Sequence, residues 1–212
     1  MTRVILILMA IVSISMSMAV KGDVTGGEKS SDVDLFQAIF KGDMDALDIA
    51  LAQGANPNRI FWLGDEDWAM CYATTSGREL MLSKLLAAGG DVDLWNNGAN
   101  PISARPITCA MLNSNFEAYR ILKEASANLE AKLCNSCEGT GDRSIFYMAL
   151  SSRNLDIATD LVNSVTLTEN DIDLLHLVVA EFPMLRNETT ESYMDVFVKK
   201  LADYGIEAEP RW

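Results

Sequence analysis

The chain has 212 residues, of which 49% are apolar, and its 17 basic and 30 acidic side chains give a formal charge of −13. This composition predicts a folded protein, and the length allows one or two globular domains. The acidic balance argues against nucleic acid or an anionic membrane surface as a partner, because like charges repel.

The amino terminus resembles an export signal. Arg3 precedes an apolar run at 4–14, and Ser17-Met18-Ala19 places small side chains where a signal peptidase cleaves. We therefore expect a signal peptide over residues 1–19 and a mature chain that is periplasmic or, alternatively, secreted. The run is short for a membrane span, so retention as an anchor is the lesser alternative and no other membrane association is expected. Residues 20–32 are polar and rich in Gly and Ser, which predicts a flexible leader.

A five-residue motif then recurs along the chain. It reads GANPN at 54–58, GGDVD at 89–93 and SANLE at 126–130, and each copy closes a pattern typical of two amphipathic helices. A self-similarity of this length predicts a solenoid, in which each helix pair buries its apolar faces only by stacking on its neighbours. Alanines at 38, 73, 110 and 149 are expected to let the first helices of the pairs pack closely.

The segments LFQAIFKGDMDALDIALAQGANPN, CYATTSGRELMLSKLLAAGGDVD and PITCAMLNSNFEAYRILKEASANLE resemble the ankyrin repeat family. The resemblance implies an all-α ankyrin-repeat solenoid with β-hairpin-like tips and a protein-binding role. Leu175-His176-Leu177 occupies the position of the family's Leu-His-Leu in a degenerate last unit. The ankyrin-repeat domain then spans residues 33–209, in about five helix-turn-helix repeats at 33–65, 66–104, 105–142, 143–170 and 171–209.

The spacing between closing residues is longer than the family norm, which places the extra residues mainly in the tips. Trp and Tyr anchors dominate protein interfaces, and acidic residues favour a basic partner. The tip tryptophans either bind a partner or fold back as local core, and we hold both alternatives open. The candidate partner-binding residues are Phe61, Trp62, Asp65, Glu66, Asp67, Trp68, Trp95, Asn96 and Asn97.

Four cysteines in an exported chain predict disulfides. Cys134 and Cys137 lie in a predicted tip rather than at a helix amino terminus after a strand, so a local structural disulfide is the expectation there. Cys71 and Cys109 lie at nearly equivalent places in consecutive first helices. They either bridge adjacent repeats or remain two buried thiols.

No catalytic constellation is legible, since the chain has one histidine and its Gly-Thr-Gly-Asp lacks the Lys-Ser/Thr of a phosphate loop. We expect a binding protein that is not an enzyme and uses no cofactor or metal. Export, acidity and aromatic tips together favour an immunity protein that neutralises a secreted, type VI-like antibacterial toxin in the periplasm. The alternatives are a periplasmic scaffold or stress-protection protein, and a thiol-disulfide redox protein that uses Cys134 and Cys137.

Overall fold

The computed structural model describes residues 29–61, 67–94, 105–131, 143–181 and 188–208. These residues form ten helices and one two-stranded antiparallel ladder, so the predicted all-α class is confirmed. The helices are α1 (Ser30–Lys41), α2 (Met44–Ala52), α3 (Ala69–Tyr72), α4 (Glu79–Ala87), α5 (Pro106–Leu112), α6 (Phe116–Glu124), α7 (Ile145–Ser151), α8 (Leu155–Leu161), α9 (Glu169–Glu181) and α10 (Glu188–Asp203). The strands are β1 (Ile60–Phe61) and β2 (Asp67–Trp68).

The helices form successive pairs that stack in two layers. The first helices contact one another in the order α1, α3, α5, α7 and α9, and the second helices α4, α6, α8 and α10 do the same. Within a pair, α1 packs on α2, α5 on α6, α7 on α8 and α9 on α10. Each pair thereby shares its apolar core with the next, which a single helix pair could not bury alone.

Close packing of the first helices depends on small side chains, as the sequence predicted. Ala38 is 2% exposed, and Ala73, Ala110 and Ala149 are fully buried. Larger side chains fill the space between the layers, where native cores reach the density of organic crystals. The largest fully buried ones are Tyr119, Phe146, Phe197, Leu35, Ile39, Leu47, Met70, Met81, Leu82, Leu85 and Ile107.

The recurring motif at the end of each pair forms a chain of side-chain to backbone hydrogen bonds. Within a motif, the first Asn or Asp accepts the amide N–H two residues later, at 3.0 Å in all three copies. Between motifs, the last Asn, Asp or Glu accepts the N–H of a residue one motif further on, at 2.7–2.9 Å. We call this chain of bonds the polar ladder; its residues are Asp32, Asn56, Asn58, Asp91, Asp93, Asn128, Glu130 and Thr166.

The polar ladder explains why the motif alternates short polar residues. A backbone N–H group in the residues just after a helix end needs a hydrogen-bond acceptor, and nearby Asn and Asp side chains provide one. Gly54 and Gly89 begin the motif with φ of 81° and 91°, and Ser126 begins the third copy with φ 69°. We call the side of the molecule formed by residues 55–58, 90–93 and 127–130 the ladder edge.

The opposite side is formed by the turns between the two helices of each pair. Positive φ recurs there at Gly42, Gly77, Ser114 and Arg153. The residue that follows each of these positions immediately precedes the second helix, and in three pairs its side chain donates a hydrogen bond to the previous pair. Those bonds are Arg78 Nε to the Ile39 carbonyl at 2.7 Å, Asn115 Nδ2 to the Thr74 carbonyl at 2.9 Å and Asn154 Nδ2 to the Met111 carbonyl at 2.9 Å.

We call this second side the turn edge, and define it as residues 40–45, 75–80, 112–117 and 151–156. The back-reaching bonds add a donor from the next pair to carbonyl groups at or just after the ends of the first helices, where the intrahelical pattern of hydrogen bonds stops. They also hold neighbouring turns in one continuous row. The two edges thus lie at opposite ends of the same helices and are each joined across pairs by side-chain to backbone bonds.

The last unit differs from the others. Helix α9 has 13 residues, and Asp171, Leu175 and Val179, which are spaced four apart, form its buried face. His176 lies on the outward side of α9, and the neighbouring Leu177 is 49% exposed. Of the three residues of the Leu-His-Leu similarity, only Leu175 therefore lies in the core, because the apolar period of α9 directs His176 and Leu177 to solvent.

Candidate protein-binding surface

The first predicted tip is partly described. Residues Ile60 and Phe61 pair with Trp68 and Asp67 in an antiparallel register, so the chain reverses direction between them. The predicted binding residues Trp62, Asp65 and Glu66, and the side chains of Phe61, Asp67 and Trp68, lie outside the described part of the structure. Trp95, Asn96 and Asn97 of the second tip also lie outside it, as do Cys134 and Cys137 of the third.

Cys71 and Cys109 form a disulfide that links α3 to α5. Their Cα atoms are 5.4 Å apart, within the range that a disulfide requires, and the two residues are separated by 38 positions. Of the two alternatives left open by the sequence, the bridge between adjacent helix pairs is therefore the one observed. The bond lies in the first-helix layer between the two edges.

An aromatic cluster lies beside the disulfide. The rings of Phe36 and Tyr72 meet edge to face with centroids 5.3 Å apart, and the rings of Phe40 and Tyr72 lie 5.6 Å apart. Phe36 is almost buried whereas Phe40 is 53% exposed, so the cluster runs from the core to the surface at the turn edge. This cluster was not predicted from the sequence, although the spacing of Phe36 and Phe40 places both rings on one face of α1.

The second-helix layer carries a polar network. The buried Tyr119 donates its hydroxyl to Asp160 Oδ2 at 2.6 Å, and Lys123 forms an ion pair with the same carboxylate. Burial and the hydrogen bond to Asp160 raise the pKa of Tyr119. Burial acts to raise the pKa of Asp160, but the bonds from Lys123 and Tyr119 outweigh it, and the pKa is lowered. The network joins α6 to α8.

Neither metal chemistry nor a membrane span is visible in the described ranges. No group of three or more His, Cys, Asp and Glu side chains in them is arranged to hold a metal ion. The same ranges contain no helix long and apolar enough to cross a bilayer. A shallow groove between α1 and α2 at the amino-terminal end is lined by Ala38, Ala46, Ala50 and Ile49 among polar residues, which does not form a catalytic arrangement.

A scan against protein-family models and a search of curated proteins both found no match to this chain. The candidate site therefore depends on geometry alone. The described surface offers exposed aromatic and aliphatic side chains on a frame of stacked helix pairs. Such a surface is suited to contact with another macromolecule.

Proposed function

We propose that this protein is an exported ankyrin-repeat solenoid that binds a protein partner and has no catalytic activity of its own. The observation that carries the proposal is the pairwise stacking of helices in two layers, in which the closing motifs at 54–58, 89–93 and 126–130 are each bonded to the end of the next pair through the polar ladder. Stacked repeats of this kind present extended surfaces that proteins use for binding. The Cys71–Cys109 disulfide supports export, because such bonds persist in oxidising compartments.

Within this class we propose an immunity protein that binds and neutralises a secreted antibacterial toxin in the periplasm. The formal charge of −13 suits a basic partner, because complementary potentials speed association and suppress wrong partners. Binding would block the toxin by covering its active site. The hairpin tips, with Trp62 and Trp95 as apolar anchors, remain the sequence-based hypothesis for the contact.

The proposal is tested in two steps. Fractionation and amino-terminal sequencing should place the mature chain in the periplasm, beginning at Val20. A toxin encoded beside this gene should then stop growth when it is exported alone, and co-expression of this chain should restore growth and yield a complex on gel filtration.

A chain found in the cytoplasm would overturn export, and a neighbouring toxin that is unaffected by the chain would overturn immunity. Capture of an envelope enzyme, with no effect on any toxin, would instead favour the scaffold alternative.

A further inference from the structure

Exposed apolar side chains are concentrated on the turn edge. Seven large apolar side chains are exposed in the described ranges, and four of them lie within residues 40–45, 75–80 and 112–117. Single exposed apolar residues are normal on a protein surface, but a row of them marks a site of interaction. The four are Phe40 at 53% exposure, Leu80 at 62%, Leu112 at 49% and Phe116 at 39%.

The back-reaching bonds of the turns join the backbone segments that carry these four side chains into one row. Arg78 donates to the carbonyls of Ile39 and Phe40, which ties the start of α4, two residues before Leu80, to the end of α1. Asn115 donates to the Thr74 carbonyl and to Glu79, which places Phe116 beside the first turn of α4.

The end of α5, where Leu112 lies, is held in the same row. Asn113, which follows Leu112, donates to the Thr74 hydroxyl at 2.9 Å. The ring of Phe116 stacks on the buried Tyr119 with centroids 5.9 Å apart, so this part of the row is fixed in place. The apolar row therefore crosses three helix pairs on a rigid support.

Acidic side chains border the apolar row. Residues 40–45, 75–80, 112–117 and 151–156 contain five acids and three bases. Asp45, Glu117 and Asp156 occupy the second position of α2, α6 and α8, where they also complement the helix dipole. Glu117 forms an ion pair with Arg120. Neither Asp45 nor Asp156 forms an ion pair within the described ranges.

We propose that the turn edge is the docking surface for a cationic amphipathic segment of the partner protein. The segment's apolar side chains pack on Phe40, Leu80, Leu112 and Phe116, and its Lys or Arg side chains face the bordering acids. Apolar contact supplies affinity at the centre, and complementary charge at the rim supplies orientation and a faster encounter. This inference rests on the proposed protein-binding function and moves the main contact away from the predicted tips.

The test uses two matched double variants of the mature chain. L80Q/L112Q removes two exposed leucines from the turn edge, and I49Q/L177Q removes two similarly exposed aliphatic side chains from elsewhere. The probe is a fluorescently labelled 18-residue peptide in which Leu and Lys are arranged at helical spacing, and the control peptide carries Glu in place of Lys. Binding is measured by fluorescence anisotropy at low and at high salt.

We expect the Lys peptide to bind, with affinity that falls as salt rises, and the Glu peptide not to bind. L80Q/L112Q should weaken binding at least tenfold, while I49Q/L177Q changes it less than twofold. Equal losses in the two variants, equal binding of the two peptides, or no binding of the Lys peptide would overturn the proposal. A wild-type chain that dimerises, and that L80Q/L112Q makes monomeric, would also overturn it, because a second copy then covers the edge.

The native partner separates this inference from the proposed function. A partner toxin that binds wild type and I49Q/L177Q but not L80Q/L112Q supports both. A toxin that binds all three proteins equally leaves the immunity function standing and overturns the turn-edge inference. A toxin that binds none of them overturns the immunity function, and the peptide result then decides the turn edge alone.

Discussion

The ladder edge and the turn edge are opposite ends of the same helix pairs, yet their surfaces differ. On the ladder edge, no large apolar side chain within residues 55–58, 90–93 and 127–130 is exposed, and polar side chains accept backbone N–H groups from one motif to the next. The turn edge is also tied by polar bonds, but it exposes four large apolar side chains. Apolar exposure stabilises neither a turn nor a helix end, and this difference is the basis of the proposal that the turn edge is the docking surface.

The largest effect should come from the disulfide, which lies between the edges and so should matter to both. A cross-link that closes a loop of 38 residues restricts the unfolded chain by about 4 kcal/mol in the chain-entropy model. We expect C71A/C109A to lose stability of this order in urea denaturation, with both edges affected. Hydrogen exchange that rises at one edge only would show that the two edges open independently.

The control for this experiment is reduction of the wild-type protein. Reduced wild type and C71A/C109A should unfold at similar urea concentrations, because both lack the same cross-link. A variant much less stable than the reduced protein would assign part of the loss to packing around Cys109, which is fully buried.

The next effect is steric and belongs to the ladder edge. A Cβ at Gly90 would lie 2.7 Å from the Leu85 carbonyl oxygen and 2.9 Å from the Met70 sulfur. The equivalent positions in the other motifs are Ala55 and Ala127, so only this copy is too tight for a side chain. We expect Gly90→Ala to cost about 2 kcal/mol, as overpacking of a close contact does. Thermal denaturation measures it, and a melting temperature equal to wild type would contradict the contact.

The edges are compared directly by a pair of single substitutions. Asn58 accepts the Asp91 N–H at 2.7 Å and donates to the Gly89 carbonyl at 3.1 Å, so Asn58→Ala should cost about 1 kcal/mol or slightly more. Leu80→Gln on the turn edge should change stability by less than about 0.5 kcal/mol, because its side chain is 62% exposed. Urea denaturation of both variants checks this. A larger loss for Leu80→Gln would mean that the turn edge is structural.

The stacked helix pairs and their closing motifs were predicted from the sequence, but the apolar row of the turn edge was not. The closing motifs and the alanines at 38, 73, 110 and 149 indicate stacked helix pairs, because their spacing repeats in the linear chain. The apolar row could not be predicted because leucine is usually a core residue, and nothing in the sequence distinguishes Leu80 and Leu112 from the buried leucines. Only the register of each helix against its neighbours decides that these side chains face solvent.

The same limit applies to the cysteines and to the last unit. Two cysteines on consecutive first helices can form a disulfide or remain two thiols. Which of these occurs depends on the distance between their Cα atoms, which is 5.4 Å here. In the last unit the similarity to the family's Leu-His-Leu did not indicate which of Leu175, His176 and Leu177 is buried. The period of the whole of α9, which buries Leu175 and Val179, was the better guide.

A smaller effect belongs to the second-helix layer, where the network of Tyr119, Lys123 and Asp160 should make the stability of the fold depend on pH. The pKa of Asp160 is lowered in the folded protein, so its contribution is present above the unfolded pKa, near 3.8, and is lost as pH falls through the folded value. Tyr119→Phe removes the hydroxyl donor and should cost about 1 kcal/mol at neutral pH. Stability measured from pH 7 to pH 3 should fall less steeply in Asp160→Asn than in wild type. Parallel curves would show that other carboxylates account for the acid sensitivity.

The smallest effect concerns backbone strain, which both edges carry. Ser126, which adjoins the ladder edge, and Arg153 on the turn edge have φ of 69° and 59°, where the first two copies of the repeat have glycine. A non-glycine residue at these positive φ values costs about 1–2 kcal/mol. Substitution by glycine removes that cost, but the greater flexibility of glycine in the unfolded chain offsets part of the gain. We therefore expect Ser126→Gly and Arg153→Gly each to raise stability by about 0.5 kcal/mol in urea denaturation.

The same two variants also separate the roles of the edges. Ser126→Gly should leave binding of the Lys peptide unchanged, since the ladder edge is stabilising, whereas Arg153→Gly removes a base from the acidic rim of the turn edge. The second variant should bind the cationic peptide slightly more tightly at low salt, and the difference should vanish at high salt because exposed charges are screened. A gain in affinity that persists at high salt would attribute the effect to backbone relaxation rather than to charge.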